Sequence, residues 1–167
     1  DQDSQEIMAP ILNQYEGKIK YSSLKLEKSF DFGKWTLDNS IIYQMINQND
    51  DILNLPKFMS RNTFFFSERI FRNTLAIQTG INFKIFSKYY ANEYNPLISD
   101  FHIQNQKKIG SFPLFDFFFN AKIRQTKIFI IAEHINSSFT GNNFYSTPES
   151  VYRDFGVRFG FKWNLFN

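Results

Sequence analysis

The chain has 167 residues, among them 22 Phe, 8 Tyr and 2 Trp, and its net charge of +3 arises from 19 basic and 16 acidic side chains. No stretch approaches the ~18 uninterrupted apolar residues of a spanning helix. With no cysteine, disulfide frameworks, thiolate metal sites and cysteine nucleophiles are excluded together, and so mild and mixed a charge gives no reason to expect nucleic acid. The length suits one sizeable domain. The chain starts at Asp1 without a basic-then-apolar leader, which reads as a mature form or a piece of something longer.

The apolar pattern has period two almost throughout, the signature of strands. The first strand runs from Gly17 to Asp31, with Ile19 and Tyr21 in one phase and Leu24, Leu26 and Phe30 in the other, so a bulge is expected near Ser22–Ser23. In the second, Lys34–Gln48, Trp35, Leu37, Ile41, Tyr43 and Met45 share one face. The third, Phe58–Arg72, is Phe-rich on both faces. In the fourth, Leu75, Ile77, Ile81, Phe83 and Ile85 oppose Thr74, Gln78, Gly80, Asn82 and Lys84. In the fifth, Phe115, Phe117, Phe119, Ala121 and Ile123 face away from Asp116, Asn120, Lys122 and Arg124. The sixth, Lys127–Asn136, takes Ile128, Ile130 and Ala132 as its apolar face. The seventh alternates Phe155, Val157, Phe159, Phe161, Trp163 and Leu165 with Asp154, Gly156, Arg158, Gly160, Lys162 and Asn164.

Short and long connections alternate. Phe32–Lys34, Phe71–Asn73 and Arg124–Lys127 are tight, whereas Asn47–Lys57, Ala91–Ser111 and Ser137–Ser150 are long and polar. This is an all-β, antiparallel up-and-down pattern, and transmembrane β-barrels combine short turns at one end with long loops at the other. A soluble β-sandwich also alternates. Lipid is favoured because the apolar faces of four strands carry no charge over about 10 residues, the length of a tilted transmembrane strand. Both tryptophans, Trp35 and Trp163, fall beside the short-turn end, where a periplasmic aromatic girdle would lie. On this reading Ile81, Phe83, Phe117, Phe119, Phe155, Phe159 and Phe161 face lipid, and Lys84, Asp116, Lys122, Asp154, Arg158 and Lys162 line a polar lumen. A closed interior of ion pairs is the alternative.

From Asp51 onward the sequence resembles the putative porins of the Bacteroidota outer membrane. The matching words are Asp51-Ile-Leu-Asn-Leu-Pro56, Ser60-Arg-Asn-Thr-Phe64, Gln78-Thr-Gly80, Tyr89-Tyr-Ala-Asn-Glu-Tyr-Asn-Pro96 and Gln104-Asn. Ile109-Gly-Ser-Phe-Pro113, Asp116-Phe-Phe-Phe-Asn-Ala-Lys-Ile-Arg124, Glu133-His-Ile-Asn136 and Arg153-Asp-Phe…Arg158-Phe-Gly follow in family order and spacing. The resemblance implies an outer-membrane barrel, inserted by the barrel-assembly machinery, of which this is the C-terminal portion; it brings no demonstrated substrate. The alternating apolar set ends on Leu165, with Phe166 out of phase and Asn167 after it, a departure from the usual C-terminal insertion signal.

Bacterial single-chain barrels normally have an even strand number and both termini in the periplasm. Either residues 1–16 supply an eighth strand, within Gln5–Tyr15 and despite Pro10, or they are a linker and the chain is part of a larger barrel. Eight strands leave an interior filled by side chains, and an open pore needs about twice as many.

Enzyme chemistry has little support. His102 and His134 lie on or near the long loops, and Glu133, Ser137 and Ser138 alternate faces around His134 rather than converge. Asp50-Asp51 reads as a solvated turn, not a metal site, and no cofactor is expected. Tyr89, Tyr90, Tyr94, Phe144 and Tyr145 suit an outer girdle and loop packing, or contact with a partner or sugar. The leading expectation is a porin-like barrel in the outer membrane of a Gram-negative bacterium, with long loops extracellular and the C-terminus periplasmic, passing small solutes by diffusion. Its partners would be outer-membrane lipid, the barrel-assembly machinery and possible outer-membrane proteins. A non-conducting accessory barrel and a soluble sandwich binding module are the alternatives.

Overall fold

The structure, a computed structural model, describes residues 16–140 and 144–164. Seven long strands form one antiparallel sheet: β1 (Lys20–Phe32), β2 (Trp35–Asn47), β3 (Phe58–Ile70), β4 (Leu75–Phe86), β9 (Leu114–Ile123), β10 (Thr126–Glu133) and β11 (Gly156–Trp163). They pair in chain order, as a meander. The connection after β4 is built rather than loose. Its β5 (Tyr89–Tyr90) pairs with β8 (Lys108–Ile109), enclosing the hairpin of β6 (Glu93–Asn95) and β7 (Asp100–His102). A four-residue helix, α1 (Ser137–Thr140), follows β10. The sheet is not closed: β1 and β11 each have one neighbour among the described residues.

Cross-strand pairing joins one face across all seven strands. Through the rows Phe32–Trp35–Phe66–Thr79–Phe119–Ile130–Phe159 and Phe30–Leu37–Phe64–Ile81–Phe117–Ala132–Val157 this face is apolar. Its only charged residues within the described strands are Lys20 and Lys28 on β1 and Glu68 on β3, the last paired with Lys34 at the first turn. No described residue covers it: Phe159 is 82% exposed and Phe161 75%. The one buried apolar cluster among the described residues, Phe112, Leu114 and Phe144 with Phe86 and Tyr152 against it, sits at the long-loop end. A sandwich buries such a face against a second layer, and no second layer exists among the described residues.

The strand ends are staggered. At the long-loop end, the Lys20–Asn47 pair lies twelve residues from the row through Phe32 and Trp35. The last pair there, Glu133–Gly156, lies only three residues from the same row, which reaches β10 and β11 at Ile130 and Phe159. At the turn end, Ile70, Leu75, Ile123, Thr126 and Trp163 lie four residues beyond that row. The drift averages near one residue per strand, which tilts strands spaced ~4.8 Å apart by roughly 35°. Barrel strands tilt by a similar angle.

Several expectations need correction. β1 pairs with β2 residue for residue, so there is no bulge at Ser22–Ser23. The phase changes instead because Tyr21 lies on the polar face, its hydroxyl donating to Gln44 Oε1 at 2.8 Å, while Ser22 joins the apolar face. β11 starts at Gly156, which leaves Asp154 and Phe155 in the preceding connection, and β3 and β10 stop at Ile70 and Glu133. The expected eighth strand within Gln5–Tyr15 and the out-of-phase terminus at Leu165, Phe166 and Asn167 lie outside the described residues. The tight turns fall where expected. At the first, Gly33 has φ +68°, the left-handed conformation that a two-residue hairpin demands.

Gly80 sits between Phe65 and Phe118 on the polar face, and a Cβ there would lie 2.3 Å from the Phe64 carbonyl oxygen and 2.5 Å from Phe65 Cβ. Phe65 therefore uses the space that glycine leaves. Gly80→Ala should lower stability by about 1–3 kcal/mol through overpacking, read as a lower urea midpoint of the refolded protein. Gly156→Ala, with nothing within 4 Å, should stay near wild type.

Candidate functional site

The opposite face of the sheet carries nearly all the charge, arranged in levels. Toward the long loops, Lys84 Nζ donates to Asp116 Oδ2 at 2.6 Å across β4 and β9. Asp116 is buried, at 6% exposure, and its Oδ1 accepts the His134 backbone N–H at 3.0 Å. Glu133, beside it on β10, accepts from Arg153 at 2.9 Å and from Arg158 at 2.5 Å. Two adjacent carboxylates are thus each matched by cations. Further round the sheet, Lys25 pairs with Glu27 at 2.7 Å, Ser29 donates to Asp38 at 2.5 Å, and Thr63 donates to Asn82 at 2.7 Å. Lys25, Glu27, Asp38, Arg61 and Lys84 border one open trough.

The middle level is apolar. Phe65, Phe118 and Ile131 lie in one row around Gly80, and Phe129 lies over Gly160 two positions closer to the turns. Beyond it, at the turn end, Lys122, Lys127 and Lys162 stand directly opposite one another on β9, β10 and β11. The row continues through Ala76 to Arg69. The six residues expected to share a lumen are therefore not one cluster. Lys84, Asp116 and Arg158 belong to the loop-end network. Lys122 and Lys162 lie six and four residues farther along their strands than Asp116 and Arg158, ~20 Å and ~13 Å at ~3.3 Å per residue. Asp154 joins neither group. Alternation puts Asp38 on the polar face of its strand without assigning it to the lumen; Lys25, Glu27 and Arg61 were missed, and for Lys25 and Glu27 the alternation after Ser22 was the signal that would have found them.

Ile81, Phe83, Phe117, Phe119, Phe159 and Phe161 lie together on the apolar face. Phe155 is exposed but outside the sheet. Trp35 stacks on Phe64 at 5.0 Å and tilts against Phe66 at 5.2 Å. Trp163 lies four residues from Trp35 by register, each beside a tight turn, an offset that strand tilt takes up.

The histidines do structural work. His134, 2% exposed and with φ +52°, has Nδ1 2.8 Å from the Arg153 carbonyl oxygen, and its ring packs on Phe144 and Tyr152. It fastens the connection to β11 onto the end of β10. Its Nε2 is buried without a partner among the described residues. His102 lies 3.6 Å from Glu93 on the outer hairpin. No group of three or more His, Cys, Asp or Glu side chains converges as a metal site among the described residues. The loop aromatics pack locally: Lys107 Nζ sits 3.4 Å above the Tyr145 ring, Lys108 above Tyr90, and Tyr94 against Phe101. Burial raises the Tyr89 hydroxyl pKa. The Glu149 carboxyl beside it, then burial, raises that of Glu93, against the pull of His102 and Lys107.

A family model described as a putative porin matches residues 1–167. No curated protein and no solved structure matches the chain.

Asp116→Ala should remove both the Lys84 pair and the His134 anchor. The expected loss is about 1–3 kcal/mol, with faster protease nicking within residues 134–155. A raised carboxyl pKa favours the protonated, folded contact, so the Glu93–Glu149 association is complete below 4.5, the ordinary glutamate value, and weakens as pH rises through the raised one. Amide exchange at Glu93–Asn95 should accordingly be slower at pH 4 than at pH 7 after correction for intrinsic rates, and Glu149→Gln should remove that difference.

Proposed function

The chain belongs to the putative porin family, and from that premise we propose that it forms part of a transmembrane β-barrel whose polar face lines a path for small solutes. Family membership implies an outer-membrane location and points to a channel or structural protein rather than an enzyme. The observation that carries the reading is the uncovered apolar face spanning seven tilted strands, backed by a face of organised charge. In lipid the first face needs no second protein layer, and the second is tolerated only where it meets water or other side chains.

The free edges of β1 and β11 bear directly on barrel size. Unpaired strand edges are not tolerated in hydrocarbon, so the two edges meet further strands or each other. Seven or eight strands alone would leave no channel. We place this chain as the C-terminal part of a larger barrel, with the tight turns periplasmic and the long loops extracellular. The connection carrying β5–β8, the longest between neighbouring strands of the main sheet, would then stand outside the cell. Insertion would fall to the barrel-assembly machinery.

A second reading, a non-conducting barrel acting as an accessory subunit of a larger outer-membrane assembly, is favoured by the apolar level of Phe65, Phe118, Phe129 and Ile131, which suits a filled interior. Conductance separates the two. In planar bilayers the full-length protein should give discrete single-channel steps. Lys84→Glu with Arg158→Glu should shift ion preference severalfold toward cations, because charges at a pore wall set local ion concentration. A folded but silent barrel would support the accessory role, and a conducting barrel with unchanged preference would remove these two side chains from the pore wall.

A further inference from the structure

The cations at the two ends of the polar face are treated differently. At the loop end most are matched: Lys84 by Asp116, Arg153 and Arg158 by Glu133, Lys25 by Glu27; Arg61, directly opposite Lys84, makes no ion pair among the described residues. At the turn end, Lys122, Lys127 and Lys162 are exposed and directly opposite one another, and none of their ammonium groups makes an ion pair or hydrogen bond with the described residues. Arg69 extends the same row. The neighbouring row toward the loops holds Ser67, Gln78, Asn120, Phe129 and Gly160, without a carboxylate. On the turn side, Arg124 adds a further positive charge. Glu68, close along the chain, lies on the other face and is held by Lys34.

Like charges directly opposite across a sheet destabilise it. Three lysines on three successive strands, about 4.8 Å apart from one strand to the next, are a cost to the fold with no structural return among the described residues. The same spacing lets three ammonium groups reach the oxygens of one multivalent anion, as point charges that bind phosphate. We propose that the Lys122–Lys127–Lys162 ladder is a binding site for phosphate-bearing anionic solutes at the turn-end mouth of the polar face. This rests on the reading of that face as solute-facing. It adds a substrate class, and a second charged level at the turn end beside the paired network near the loops.

Phosphate is offered by free solutes and by lipid headgroups alike, and the experiment must tell these apart. The probe is inorganic pyrophosphate, titrated calorimetrically into the full-length protein folded in neutral detergent and again in liposomes with and without phosphatidylglycerol. Binding should weaken at least tenfold when Lys122→Gln, Lys127→Gln and Lys162→Gln are combined, should survive replacement of all three by Arg, and should be unchanged in Lys25→Gln. If the triple variant fails to fold, Lys127→Gln, the middle rung, should give the same loss at smaller amplitude. Absent binding, or binding indifferent to these lysines, overturns the site. Loss of binding only in phosphatidylglycerol liposomes assigns the ladder to lipid and overturns the solute site. Lysine-dependent binding by a protein that shows no conductance sustains the site while removing the diffusion pore. Conductance without pyrophosphate binding does the reverse.

Discussion

The constraint on which the rest depends is the pairing of backbone N–H and C=O groups. In hydrocarbon each unpaired group costs several kcal/mol, so a sheet can enter lipid only if its neighbours satisfy every strand. The interior strands of this meander are paired on both sides, and among the described residues β1 and β11 are not. If this sheet lies in lipid as proposed, those two edges would need further pairing, and with it a curved, tilted, closed arrangement. The stagger of roughly one residue per strand already has the geometry that closure demands.

The apolar side chains follow from the same constraint. Once the backbone is satisfied, lipid-facing positions need only be apolar, with no packing partner to match. Hence the chain can be rich in phenylalanine, contain no fully buried large side chain among the described residues, and have a negative mean hydropathy. Cohesion on the polar face comes from elsewhere: the Lys84–Asp116 pair, the Glu133 fork to two arginines, and rings laid over Gly80 and Gly160. His134 then couples this network to the outer connection, because its backbone is held by Asp116 and its ring by Arg153, Phe144 and Tyr152.

Period-two patterning made the seven strands and their tight turns legible, since each is a local property. It failed at Ser22, where one serine among alternating residues resembled a slip in register, although Tyr21 had turned to the polar face to reach Gln44. It overran at Asp154 and Phe155, whose alternation continues past the point where pairing stops. The partners within the polar face were not legible. Asp116 meets Lys84 across 32 residues, and Arg158 meets Glu133 across 25. Such contacts depend on the register between strands, which no single segment encodes. The lysine ladder was half visible: alternation puts Lys122, Lys127 and Lys162 each on the polar side of its strand, but only the register between strands makes them a row.

The central claim is that one face of this sheet meets lipid and the other does not. Nitroxide labels placed singly at Ile81, Asn82, Phe83 and Lys84 of the full-length protein in bilayers test it directly, through collision with oxygen, which concentrates in lipid, and with a water-soluble nickel chelate. Oxygen accessibility should be high at Ile81 and Phe83 and low at Asn82 and Lys84, with the nickel response in the opposite phase. Equal accessibility along the four positions, or nickel reaching Ile81 and Phe83 as readily as Lys84, would contradict the account.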